Sequence, residues 1–120
     1  MKTILIVDDE PYIRMLYERE LAEEGYHARA VATGSEALQM LERDPVDVVV
    51  LDVRLAEQEP NGLTILNEIL ARKRDQKIIL NTAYPSYMDE GASWLANGFV
   101  VKSSDLTELK ARIREVLSEG

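Results

Sequence analysis

Cysteine is absent from the sequence, and histidine occurs once, at His27. The first absence removes disulfides, a thiolate nucleophile and any cysteine-based zinc site, and it suits a reducing compartment. The second leaves no pair of imidazoles from which a metal-ligand set could be built, so His27 reads as a solvated strand residue. Positive charge is scarce as well. Fourteen Lys and Arg against 22 Asp and Glu give a formal net charge of −8 and a pI near 4.7, which leaves no electrostatic basis for direct binding to nucleic acid or to an anionic lipid surface. No apolar run approaches the ~20 residues of a membrane span. The first run, Ile4-Leu5-Ile6-Val7, is too short for a signal-peptide core and passes straight into acids, so neither an export signal nor a membrane segment is expected and the protein is assigned to the cytoplasm. A chain of 120 residues has room for one sheet with a layer of helices on each side and not for a second domain, and residues 1–120 are read as one domain.

What is present is organised around Val46-Asp47-Val48-Val49-Val50-Leu51-Asp52, an apolar run ending in a carboxylate. Such continuous runs belong to strands covered on both faces, and these occur in parallel sheets flanked by helices. Asp52 then stands where open α/β sheets bind ligands, beyond the carboxyl end of a strand; capping of the following loop is the alternative. Residues 4–7 make a second run of the same kind and deliver Asp8-Asp9-Glu10 to an equivalent strand end. Pro11 suits the first turn of a helix, whose apolar positions Ile13, Leu16, Tyr17 and Leu21 run to a stop at Gly25. Residues 27–32 read as a short edge strand. Thr33-Gly34-Ser35-Glu36 is a capping-box pattern opening a helix through about Arg43.

After Asp52 comes a polar loop containing Arg54, Glu57, Gln58, Glu59, Pro60, Asn61 and Gly62. Leu63, Leu66, Ile69 and Leu70 then give the next helix its buried face. Residues 77–82 form a strand ending in the hydroxyl of Thr82. Pro85, Gly91 and Asn97-Gly98 punctuate the following segment, where one short or irregular fourth helix is expected, with Tyr87, Met88, Trp94 and Leu95 as a weak stripe. Residues 99–102 are the last strand. Asp105 with Glu108 opens the final helix, buried through Leu106, Leu109, Ile113 and Val116 or Leu117.

Five strands alternating with helices imply right-handed crossovers and a doubly wound α/β fold, for which one common strand order is 2-1-3-4-5. In that order strands one, three, four and five are consecutive neighbours. Their carboxyl ends would bring Asp8, Asp9, Asp52, Thr82 and Lys102 into one crevice, a convergence that four independent caps do not explain.

The fragments Ile-Leu-Ile-Val-Asp8-Asp9-Glu10, Val-Val-Val-Leu-Asp52, Asn61-Gly62-Leu63, Leu-Asn-Thr82-Ala83-Tyr84 and Gly98-Phe99-Val-Val-Lys102, in this order, resemble the receiver domain of two-component response regulators, of the single-domain, CheY-like kind. The resemblance covers essentially the whole chain and implies a flavodoxin-like five-stranded sheet. It also implies that Asp52 is the phosphoacceptor, that Asp8 and Asp9 hold Mg²⁺ together with Asp52 and the backbone carbonyl of Arg54, that Thr82 is the switch hydroxyl, Lys102 the phosphate-binding cation and Phe99 the switch aromatic. The implied donor is a histidine kinase or a histidine phosphotransfer protein, and the implied receiver of the signal is an output protein that the sequence does not name. No enzymatic activity beyond self-phosphorylation and autodephosphorylation is implied.

The residue chemistry agrees with those roles. A carboxylate is a competent nucleophile toward an activated phosphoryl group once the charge on the transferred oxygens is neutralised, and a hard dication with oxygen ligands does that. Two departures from the family pattern stand out. Leu55-Ala56 replaces the frequent Met-Pro in a loop that is also longer, and Ser103 replaces the usual cis proline, so the Lys102–Ser103 peptide is expected to be trans, cis costing ~3 kcal/mol there. The resemblance also implies that Arg54 and Tyr84 occupy positions that in this family flank the phosphoryl group, where large side chains are expected to obstruct water. Residues 84–105 are expected to be the partner-binding part. A degenerate receiver serving as a phosphorylation-independent scaffold is the alternative. An aspartate-nucleophile phosphatase of the haloacid dehalogenase type fits less well, since strand one ends Asp8-Asp9 without the Asp-x-Asp spacing and no residues remain for a cap. A flavodoxin-like binding module would need a Ser/Thr/Gly-rich loop where Asp-Asp-Glu stands.

Overall fold

Apolar runs that need cover on both faces line up side by side in the computed structural model, which describes residues 1–53, 62–83 and 95–119. In chain order the elements are β1 (Thr3–Val7), α1 (Pro11–Glu23), β2 (His27–Val31), α2 (Gly34–Arg43), β3 (Val48–Leu51), α3 (Gly62–Arg72), β4 (Lys77–Thr82), β5 (Gly98–Val101) and α4 (Thr107–Ser118). The strands form one parallel sheet in the order β2-β1-β3-β4-β5. Among the described residues no helix is long and apolar enough to cross a membrane.

Alternation along each strand divides the core in two. Leu5, Val7, Val49, Leu51, Ile78 and Leu80 face α2 and α3, meeting Ala37, Met40, Ile65, Leu66 and Ile69. Ile4, Ile6, Val48, Val50, Ile79 and Val100 face α1 and α4, meeting Tyr17, Leu21, Leu109, Ile113 and Val116. At about 1.5–3 kcal/mol for each fully buried aliphatic side chain, these two layers outweigh any surface ion pair in fixing the fold.

Register decides what reaches the strand ends. Val7 pairs with Leu51, Leu51 with Leu80, and Leu80 with Phe99. The next residues in each strand are Asp8, Asp52, Asn81 and Val100, and the ladder continues through them: Asp52 N–H donates to the Val7 carbonyl at 2.9 Å and Asp8 N–H to the Val31 carbonyl at 3.1 Å. By parity Asp8, Asp52, Asn81 and Lys102 belong to the face of α1 and α4, whereas Thr82 and Phe99 belong to the face of α2 and α3.

Helix ends follow the sequence signals with small shifts. Pro11 occupies the first turn of α1, and Gly25, at φ +96°, ends it in the left-handed region where a side chain is disfavoured. The Thr33 hydroxyl accepts from Glu36 N–H at 3.1 Å, while the Glu36 carboxylate reaches back to Ala32 N–H, one residue before the expected Thr33. Asp105 accepts from Thr107 N–H at 2.9 Å at the start of α4. Strand β5 is displaced by one residue from the expected 99–102. Asn97 pairs with Ile78 through both its main-chain N–H and its side-chain oxygen, which starts the ladder early and leaves Lys102 just past the strand. Ile65, absent from the expected stripe of α3, is fully buried against the sheet. The Lys102–Ser103 peptide is trans, as expected. The polar loop after Asp52 and the short fourth helix expected after Pro85 fall on residues 54–61 and 84–94, outside the described residues.

Gly34, at the start of α2, lies so close to α3 that a Cβ there would collide with Cδ1 and Cγ1 of the fully buried Ile65. Overpacking of this kind costs roughly 1–3 kcal/mol. It exceeds the gain of at most ~1 kcal/mol from replacing a helical glycine, so Gly34→Ala is expected to destabilise the protein in urea melts. A neutral or stabilised variant would show that α2 and α3 yield more easily than this.

Candidate functional site

The end of β1 is held before any ligand arrives. Asp8 Oδ1 accepts from Glu10 N–H at 2.9 Å, closing a turn, and Arg14 Nη1 donates to the Asp8 carbonyl at 2.8 Å, tying that turn to the first coil of α1. Asp8 and Asp52 are only 2% and 5% exposed. Carboxylate oxygens of Asp8, Asp9 and Asp52 all lie within 4.8 Å of one another. Three like charges in so small a space repel one another unless a cation is among them.

Lys102 supplies one. Its Nζ is 2.7 Å from Asp8 Oδ2, 3.2 Å from Asp52 Oδ2 and 4.0 Å from Glu10 Oε1. Burial by itself would lower the ammonium's pKa, but the hydrogen bond to Asp8 and the charge of Asp52 outweigh it and hold the group above its ordinary value. The main chain fixes the root of the side chain, since Lys102 N–H donates to the Thr82 carbonyl at 2.7 Å and extends the β4–β5 ladder by one residue.

Of the residues singled out in the sequence, the fold therefore brings Asp8, Asp9, Asp52 and Lys102 into direct company. Thr82 is fully buried at the adjoining strand end, and its main chain anchors Lys102. Phe99 packs on the other side of the sheet, partly buried against the α2–α3 core. Arg54 and Tyr84 lie outside the described residues. Lys102 approaches Asp8 more closely than Asp52, which the spacing of the sequence could not disclose. Sequence reasoning also passed over Arg14 and the buried pair Tyr17–Asn81, whose hydroxyl and amide are 2.6 Å apart. A signal existed for the pair: Asn81 interrupts an apolar strand, and buried polar groups require partners.

The donor set is made of carboxylate oxygens alone, without nitrogen or sulfur, and it converges within reach of a single ion. That suits a hard dication such as Mg²⁺, which binds through one or two carboxylates and keeps other positions for water or phosphate oxygen.

Residues 4–114 match the family of the response regulator receiver domain. The chain belongs to that family. It is similar to the response regulator TrrA of Thermotoga maritima, with 44% identity and a TM-score of 0.92, covering 98% of this receiver chain and 100% of TrrA, in a structure solved with Mg²⁺ and BeF. TrrA has also been solved in complex with the histidine kinase ThkA, and the likeness there has a TM-score of 0.91. Among curated relatives, the transcriptional activator protein IrlR of Burkholderia pseudomallei is 36% identical over 98% of this chain and 51% of IrlR. The probable transcriptional regulator ycf27 of Porphyridium aerugineum is 35% identical over 95% of this chain and 47% of that protein. The receiver chain thus spans about half the length of the curated relatives it matches.

Two expectations arise from the electrostatics. Removing the ammonium in Lys102→Met leaves the acids uncompensated, a loss of about 3 kcal/mol by analogy with other broken buried pairs. Lys102 and a dication compete for the same carboxylates, so added Mg²⁺ should raise the melting temperature of Lys102→Met by more than that of wild type. An equal or smaller rise would show that the ammonium does not oppose the metal. Burial pushes the Tyr17 phenol from its ordinary value of 10.0 up to about 12. The unfolded chain then releases the proton first, and stability present below pH 10 is lost as the pH rises through 12. The loss should be about 2–3 kcal/mol and should be missing from Tyr17→Phe in denaturant melts across that range.

Proposed function

We infer that this receiver domain accepts a phosphoryl group on Asp52 and uses it to change its affinity for a partner. The observation that carries this reading is the placement of Asp52 beside Lys102, Asp8 and Asp9 at adjacent strand ends. Asp8 shares the same ammonium and acids, but its Oδ1 accepts from Glu10 N–H at 2.9 Å and its Oδ2 lies 2.7 Å from Lys102 Nζ, so it is tied into the turn that ends β1.

Asp9 and Asp52, with Asp8 and the main-chain carbonyl of Arg54, would hold Mg²⁺. When bound, the ion supplies positive charge against the phosphoryl oxygens. The remaining work falls to the chain itself. An oxygen of Asp52 forms the new bond to phosphorus as the donor's leaving group departs with its electron pair. Lys102 is then freed from part of its attachment to the Asp52 carboxylate and offers its charge to the phosphoryl group. The Thr82 hydroxyl donates to a phosphoryl oxygen, a contact worth about 1.5–3 kcal/mol to a charged acceptor, and this difference between the two states is what moves the switch with Phe99.

A histidine kinase or a histidine phosphotransfer protein is the donor in this reading, and the ThkA complex of TrrA supports it. The setting is the cytoplasm. The chain acts as a signalling module, and its own catalysis is limited to self-phosphorylation and autodephosphorylation. Relatives twice as long are named as transcriptional regulators, so a DNA-binding output is in keeping with the family. With a charge of −8, this chain would reach DNA through another segment or protein and not directly.

Incubation with acetyl phosphate and Mg²⁺, followed by intact-mass measurement and site mapping, tests the acceptor. Wild type should gain one phosphoryl group, lost in Asp52→Asn and on removal of Mg²⁺ by chelation. An adduct mapped to Asp8, Asp9 or His27 would overturn the assignment.

A further inference from the structure

Asn81 breaks the apolar run of β4, yet it is only 2% exposed. Its Oδ1 accepts from the Tyr17 hydroxyl at 2.6 Å, and its Nδ2 donates to the Val100 carbonyl at 3.0 Å. Tyr17 is itself 1% exposed in the middle of α1. One amide thus joins α1, β4 and β5. A phenol and an amide surrounded by Ile and Val would be replaced at little cost by an apolar pair, so their presence needs a reason beyond filling space.

Position supplies the reason. Asn81 pairs with Val100 across β4 and β5, and it stands one residue beyond Leu80 as Asp52 stands one beyond Leu51, the partner of Leu80. It shares the sheet face of Asp8, Asp52 and Lys102. The carbonyl that it holds lies two residues before Lys102, at the base of the segment bearing the ammonium. Tyr17 senses the same site, because the charges of Lys102, Asp8 and Asp52 act on its phenol after burial has had the larger effect.

The geometry points to Tyr17 and Asn81 as positioning residues that brace the end of β5 against β4 and α1 and so keep the Lys102 ammonium on Asp8 and Asp52. The consequence for phosphoryl transfer rests on Asp52 being the acceptor; the brace itself does not.

Tyr17→Phe, Asn81→Leu and the double variant separate this role from a merely structural one. Tyr17→Phe strands the Asn81 Oδ1, and Asn81→Leu strands the Tyr17 hydroxyl and the Val100 carbonyl, whereas the double change deprives only that carbonyl, so stability should fall in the singles and recover in part in the double. The side-chain NMR resonances of the Lys102 ε-methylene, recorded without metal or phosphodonor, should shift in all three. Phosphorylation by saturating acetyl phosphate with Mg²⁺ should slow by roughly tenfold in all three, because misplacement of about an ångström at a reacting centre can cost up to a hundredfold. Recovery of the Lys102 signal and the rate together with stability in the double variant would overturn the proposal. Should Asn81→Leu fail to fold, Tyr17→Phe alone decides it, and an unchanged signal and rate there refute the brace. If wild type takes no phosphoryl group on Asp52, the acceptor reading fails, and the Lys102 resonances then decide the brace by themselves.

Discussion

Negative charge gathered at the ends of β1 and β3 is the constraint on which this molecule depends. Two nearly buried carboxylates and a third beside them would repel one another strongly, and among the described residues the fold answers with the ammonium of Lys102, in contact with Asp8 and Asp52. That ammonium comes from the residue just past β5, at the edge of the sheet. The acids and their counter-charge are therefore separated by a strand, and the intervening β4 must be in correct register for them to meet. Electrostatics at the site and hydrogen bonding within the sheet are one problem.

The parallel sheet solves it by alternation. Neighbouring residues on a strand face opposite helical layers, so a one-residue shift in any pairing would send Asp52 or Lys102 to the wrong side. The apolar residues beneath them, divided between the α2–α3 layer and the α1–α4 layer, make such a shift prohibitive. Phe99 and Thr82 share one layer while Asp8, Asp52, Asn81 and Lys102 share the other. The residues proposed to handle the phosphoryl group and those proposed to report it are thus on opposite faces, connected through strand ends that differ by a residue or two. Thr82 spans the division, since its main chain anchors Lys102 while its side chain belongs to the face of Phe99.

Membership of the receiver family and the likeness to TrrA describe a shared frame. The departures from the family pattern are Ser103 after the lysine and Leu55-Ala56 in the loop after Asp52. Asn81 within the apolar β4 is buried and hydrogen-bonded to Tyr17 and to Val100, so it is coupled to the site through packing. Ser103 is exposed and leads toward α4 by a trans peptide.

The order of elements, the doubly wound sheet and the convergence of Asp8, Asp9, Asp52 and Lys102 were legible in the sequence, because continuous apolar runs define buried parallel strands and strand ends define where their last residues emerge. The helix limits were legible too, from Pro11, Gly25 and the Thr33 cap, since these act through local dihedral and hydrogen-bond preferences. Ile65 escaped the periodic stripe, and β5 began one residue early because Asn97 bonds to a strand distant in sequence. The preference of Lys102 for Asp8 over Asp52, the anchoring of Asp8 by Arg14 and the meeting of Tyr17 with Asn81 across 64 residues were decided only by tertiary structure. Each is a side-chain contact between elements, fixed by how layers pack and by rotamer choice, and neither periodicity nor spacing along one chain contains that information.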